Sequence, residues 1–117
     1  MIYVIDNDNA VRRAFGLFLE STGVEYKSFA SATSFLLEVI PTASDLLVLD
    51  LNMPGMSGCD LLRKFSETGL SIPVIVVTAF DDPDSREYCR HYGVKAYQRK
   101  PVDGESLIDL IKYNLPE

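Results

Sequence analysis

The sequence predicts a doubly wound α/β domain, with five parallel strands in the order 2-1-3-4-5 and a helix after each. Three observations carry this. Short apolar runs alternate with stretches of helical periodicity along the whole chain. Three of those runs (2–5, 46–49 and 74–77) are apolar without interruption, as strands buried on both faces must be. The other two, 24–29 and 96–98, mix polar and apolar residues and suit the edges of a sheet.

Each element has its own local reason. Residues 2–5 form the first strand and end in acid. Val11, Ala14, Phe15, Phe18 and Leu19 then recur at helical spacing up to about Thr22, where Gly23 stops the helix. Asp8 or Asn9 can cap its start. After the second strand, Ser31 or Thr33 caps a short helix carrying Phe35, Leu36, Val39 and Ile40. That helix ends before Pro41, because the residue preceding a proline is driven out of the α region. The third strand again ends in acid, and a helix follows from Gly58 to about Phe65 over Leu61, Leu62 and Phe65. Pro73 opens the fourth strand. Asp82 caps the fourth helix, with Pro83 in its first turn and a thin apolar face of Tyr88, Cys89 and Tyr92. Leu107, Ile108, Leu110, Ile111 and Leu115 mark the last helix. Right-handed crossovers place helices 1 and 5 on one face and helices 2, 3 and 4 on the other, a flavodoxin-like (βα)5 arrangement.

Composition bounds what such a domain can do. Its 117 residues suit a single domain over 1–117, able to bury roughly two-thirds of its unfolded surface without disulfides or structural zinc. The charge of -6, from 11 Lys+Arg against 17 Asp+Glu, leaves no basic stripe with which to grip nucleic acid. No apolar run approaches the ~20 residues needed to span a bilayer, and no signal peptide is evident, so the expected location is cytoplasmic. Cys59 and Cys89 lack ligand-like spacing and read as reduced thiols.

In this strand order the ligand crevice lies at the carboxyl ends of strands 1 and 3. Strand 1 delivers Asp6, Asn7 and Asp8 there, strand 3 delivers Asp50 and Asn52, and strand 4 delivers Thr78; Lys100 follows strand 5. Clustered carboxylates repel one another unless a cation is present, and a few hard oxygen donors suit Mg²⁺. Thr78 and Lys100 can then hold an anion beside the metal. A single Asp at a strand end is commonly a helix cap, and Lys-Pro is commonly a turn; the convergence of four strand ends is what points to a site. A phosphate-cradling cofactor loop does not fit, since Asp6-Asn7-Asp8 would repel a phosphate. His91, the one histidine, falls on the fourth helix, away from any serine at the sheet end, which disfavours a hydrolase.

The stretches VIDND, VLDLNMPGMSG, VVTAF and AYQRKP stand in order along the chain. Together they resemble the receiver domain of two-component response regulators, a CheY-like superfamily, over essentially all 117 residues. KPVDGESLIDLI further resembles the FixJ-like branch, whose members often carry a DNA-binding effector. The resemblance implies that Asp50 accepts a phosphoryl group from a sensor histidine kinase in a Mg²⁺-dependent reaction. It implies Asp6, Asp50 and the Asn52 backbone carbonyl as metal ligands, and Thr78 and Lys100 as partners of the phosphoryl oxygens. Thr78 and Tyr97 would form the switch, and the Lys100–Pro101 bond would be cis. Such a domain assists its own phosphotransfer and dephosphorylation but is a signalling module rather than a turnover enzyme. The implied output is transcription, with DNA reached only through an effector and no membrane contact. A homodimer would form through the fourth helix, fifth strand and fifth helix, on a face carrying Tyr88, Tyr92 and Tyr97.

One departure stands out. Receivers usually have two consecutive acids after strand 1, the second a direct metal ligand; here the pair is Asp6-Asn7, with Asp8 one place further on. Asn7 or Asp8 fills that role, or Asp8 simply caps the first helix. The alternative function is therefore an interaction or dimerisation module that works without phosphorylation.

Overall fold

Uninterrupted apolar strands belong in the middle of a sheet, and that is where they lie. A computed structural model describes residues 1–116. Strands β1 (Ile2–Ile5), β2 (Tyr26–Phe29), β3 (Leu46–Asp50), β4 (Val74–Thr78) and β5 (Ala96–Arg99) pair in parallel in the order β2-β1-β3-β4-β5. Helices α1 (Asn9–Ser21), α2 (Ala32–Glu38), α3 (Gly58–Glu67), α4 (Pro83–His91) and α5 (Gly104–Asn114) complete the alternation. Every residue of β3 and β4 is buried, whereas the edge strands β2 and β5 are mixed.

Side chains alternate across the pleat, so each central strand feeds two cores. Ile2, Val4, Leu46, Val48, Ile75 and Val77 pack under Phe15 and Leu19 of α1 and Leu107 and Ile111 of α5. On the other face, Leu47, Leu49, Val74 and Val76 meet Phe35 of α2, Leu61, Leu62 and Phe65 of α3, and Cys89 of α4. Each fully buried aliphatic side chain contributes about 1.5–3 kcal/mol, and this two-sided burial holds the strand ends in register. Both cysteines are free thiols, and burial pushes that of Cys89 up to about 11. Among the described residues, no helix is long and apolar enough to cross a membrane.

Three local expectations need correction. The second strand begins at Tyr26 rather than Val24. The second helix stops at Glu38: Val39 is extended (φ -123°, ψ 133°), and Ile40 is 92% exposed instead of lining the helical face. Pro41 bars Ile40 from the α region, and Val39, already extended, still packs against the core. Tyr88 and Tyr92 do not present an open pairing face. Both pack against the core on the α3 side, with their rings 4.8 Å apart, and the Tyr88 hydroxyl donates to the Cys59 carbonyl at 2.9 Å. A tyrosine has an apolar body and a polar tip, and this half-burial satisfies both. What α4 turns outward instead is charged, including the exposed pair Glu87 and Arg90.

Candidate functional site

Strand register brings the site together. Ile5 pairs with Leu49, so Asp6 comes level with Asp50; Asp50 pairs with Val77, so Thr78 stands one residue beyond. Thr78 pairs with Arg99, and the Lys100 backbone N–H donates to the Thr78 carbonyl at 2.8 Å. The Lys100–Pro101 bond is cis. Of the four buried polar or charged residues among the described residues, three are Asp6, Asp50 and Thr78. Burying such groups is costly, so their concentration at one sheet end marks the site.

Asp6 is held from several sides. Its backbone N–H donates to Phe29, its carbonyl accepts from the Arg12 guanidinium, and its Oδ1 accepts from the Asp8 N–H at 2.9 Å. Its Oδ2 is buried and receives no well-directed hydrogen bond; only the Lys100 ammonium lies beside it, at 2.7 Å. The same ammonium is 3.5 Å from Asp50 Oδ2, so one lysine spans both carboxylates. Burial raises the Asp50 carboxyl above its ordinary range, and the nearby Asp6 charge adds to this; the Asn52 N–H and Lys100 pull the other way.

These donors fit a hard divalent cation. Two carboxylates face a common point already occupied by positive charge, and one buried oxygen lacks a directed donor. Mg²⁺ takes one or two carboxylates and completes its shell with water. Asn7 is exposed beside them. Asp8 is committed elsewhere: its Oδ1 accepts from the N–H groups of Ala10 (2.8 Å) and Val11 (3.3 Å), capping α1.

The loop after β3 is shaped by its glycines. Gly55 has φ +75°, a left-handed turn that side chains avoid. Gly58 brings α3 back against the strand end, where a Cβ would stand 2.5 Å from the Asp50 carbonyl oxygen and 2.7 Å from Leu51 Cα. A capping box between Ser57 and Asp60 pins that return, and its hydrogen bonds hold the Asp60 carboxyl below the usual range.

Thr78 is saturated. Its hydroxyl accepts from Asn52 Nδ2 at 2.9 Å and from the Phe80 N–H at 3.2 Å, and donates to the Phe80 carbonyl at 3.2 Å. The Tyr97 hydroxyl donates to that same carbonyl at 3.3 Å. Sequence reasoning misses two of these contacts, the Asn52 side chain on Thr78 and Arg12 on Asp6. A signal for Arg12 is present, since it lies one helical turn after Asp8, on the face of α1 nearest the site.

Comparison with known proteins agrees with this geometry. The family model described as response regulator receiver domain matches residues 2–112. The chain is 38% identical over 112 residues to the response regulator protein TmoT of Ectopseudomonas mendocina, covering 96% of this chain and 51% of that protein. It is 32% identical over 114 residues to the transcriptional regulatory protein FixJ of Azorhizobium caulinodans, covering 97% of this chain and 54% of that protein. The chain thus spans about half the length of the curated relatives it matches. Among solved structures, the response regulator StyR superposes with a TM-score of 0.89 at 32% identity, over 97% of this chain and 58% of that one. A receiver domain protein from Methanospirillum hungatei gives 0.85 at 27% identity, over 97% of this chain and 91% of that one. With the fold and the family match in agreement, the chain belongs to the receiver domains of two-component response regulators.

Proposed function

We propose that this receiver takes a phosphoryl group onto Asp50 from a phosphohistidine of a sensor kinase, and that the product controls transcription through an effector. The observation that carries the reading is Lys100 spanning Asp6 and Asp50 beside a saturated Thr78. An Asp50 carboxylate oxygen forms a bond to phosphorus while the bond from phosphorus to the imidazole nitrogen breaks. Asp6, Asp50 and the Asn52 backbone carbonyl would hold Mg²⁺, which when bound offsets the charge gathering on the phosphoryl oxygens. Lys100 turns its ammonium from the two carboxylates to a phosphoryl oxygen, a charge-assisted contact. The Thr78 hydroxyl donates a hydrogen bond to another, and Ala79 beside it keeps the entrance clear. FixJ relatives named transcriptional regulatory proteins support the transcriptional output.

Incubation with acetyl phosphate and Mg²⁺, followed by intact mass, tests this. Wild type should gain the mass of one phosphoryl group, and Asp50→Asn should gain none. Full labelling of the variant at another residue would sink the assignment. Asn7 favours a second reading, in which the domain acts by contact alone. Absence of labelling in wild type at every Mg²⁺ concentration would put that reading first.

A further inference from the structure

Thr78 has one hydroxyl proton, and it is committed to the Phe80 carbonyl. To serve a phosphoryl oxygen, that proton must leave Phe80. A carbonyl oxygen has two lone pairs, and here the second accepts from Tyr97. Phe80 therefore keeps one partner when Thr78 turns away, provided that the phenol stays in place. The Tyr97 ring is covered by the Arg86 guanidinium, whose Cζ is 4.8 Å from the ring centroid. Arg86 is itself gripped by Asp81, the neighbour of Phe80, with Nε and Nη2 at 2.5 and 2.7 Å from its two carboxylate oxygens. The contacts close a ring through Phe80, Tyr97, Arg86 and Asp81. Asp82 separately caps α4, so Arg86 is not needed to start that helix.

We propose that Arg86, clamped by Asp81, is a positioning residue that pre-orders Tyr97 on the Phe80 carbonyl, so that Thr78 can turn its hydrogen bond from Phe80 to a bound phosphoryl group. This rests on the reading of Asp50 as phosphoacceptor and Thr78 as its neighbouring donor. Without Arg86, the free protein lets Tyr97 wander, because Thr78 still satisfies Phe80. Binding must then order the phenol again, and affinity falls by that ordering.

The test is calorimetric titration of beryllofluoride with Mg²⁺ into wild type, Arg86→Ala, Tyr97→Phe and the double variant. Arg86→Ala should weaken binding about two- to five-fold, the range of a partly exposed cation–π contact. Tyr97→Phe should weaken it to a similar extent. The double variant should bind no more weakly than Tyr97→Phe alone, because a phenylalanine has no hydroxyl to position. A purely structural Arg86 would add its own loss to that of Tyr97→Phe, so additive losses overturn the proposal, as does unchanged binding by Arg86→Ala. NMR of the unliganded protein separates the two layers. Arg86→Ala should move the Tyr97 ring resonances, and unmoved resonances overturn the positioning role whatever the binding data show. If wild type takes up no beryllofluoride while the ring resonances do move, the phosphoacceptor reading fails and the role built on it fails too, although the clamp stands.

Discussion

At the scale of single residues, Asp50 is where stability and reactivity oppose each other. Its carboxyl is raised above the ordinary 3.8 by burial and by Asp6. A raised carboxyl pKa leaves folding unpenalised below the unfolded value, and stability is lost as pH rises through the folded value. Asp50→Asn should therefore match wild type in acid and exceed it in stability at neutral pH without metal. Urea unfolding of both proteins across pH, in chelator, checks this; equal stability at neutral pH would contradict it. The neighbouring positions 7 and 8 separate by role. A carboxamide at Asn7 removes one charge from the metal's surroundings, so Asn7→Asp should let phosphorylation proceed at lower Mg²⁺. Asp8→Ala should cost about 1 kcal/mol through the lost α1 cap and leave the Mg²⁺ requirement unchanged. A Mg²⁺ titration of labelling, set beside a melting curve for each variant, reads both. A raised Mg²⁺ requirement in Asp8→Ala would make Asp8 a ligand.

Among the elements, the β3–α3 connection governs the site most directly. Gly58 lets α3 close over the end of β3, and a Cβ there meets backbone atoms that have no free side chain to yield. Gly58→Ala should destabilise the domain by about 1–3 kcal/mol, the usual cost of overpacking, and slow phosphorylation by displacing Asp50. Thermal melting and the rate of acetyl phosphate labelling measure the two effects; a normal rate at lowered stability would place Gly58 in the scaffold alone. The helix α4 is held differently. It contributes one fully buried residue, Cys89, and is tied to α3 by Tyr88 and to β5 through Arg86 and Tyr97. A helix with so small a share of the core is suited to shift at low cost.

For the molecule as a whole, the proposed function makes the outward surface of α4, β5 and α5 the place where the switch would be read. Tyr88 and Tyr92 are half-buried against the core, leaving Glu87 and Arg90 exposed on α4 and Lys95 and Arg99 exposed at β5. Charges of both signs on one face can complement themselves across a two-fold axis. Sedimentation should show beryllofluoride shifting the protein from monomer towards dimer, with the shift reversed by added salt, which screens such contacts. The same monomer–dimer balance with and without the mimic would rule this surface out as the phosphorylation-linked interface.

Strand order and the meeting of the candidate site residues at one sheet end were legible in the sequence because both follow from local patterns. Three unbroken apolar runs can be stable only between two layers of helices, which orders the sheet; the sheet then dictates that Asp6, Asp50, Thr78 and Lys100 meet at one end. The helix cap at Asp82 was equally readable, since a cap acts within one turn, and the structure chose Ser31 over Thr33 for the second helix. Tertiary structure alone decided how far Tyr88 and Tyr92 are buried beside Cys89, because an amphipathic ring can be buried or exposed at similar cost. It alone placed Asn52 Nδ2 on Thr78, 26 residues away, and Arg86 over Tyr97. Those contacts depend on strand register and on rotamers chosen by neighbours distant in the chain, and periodicity carries no information about either.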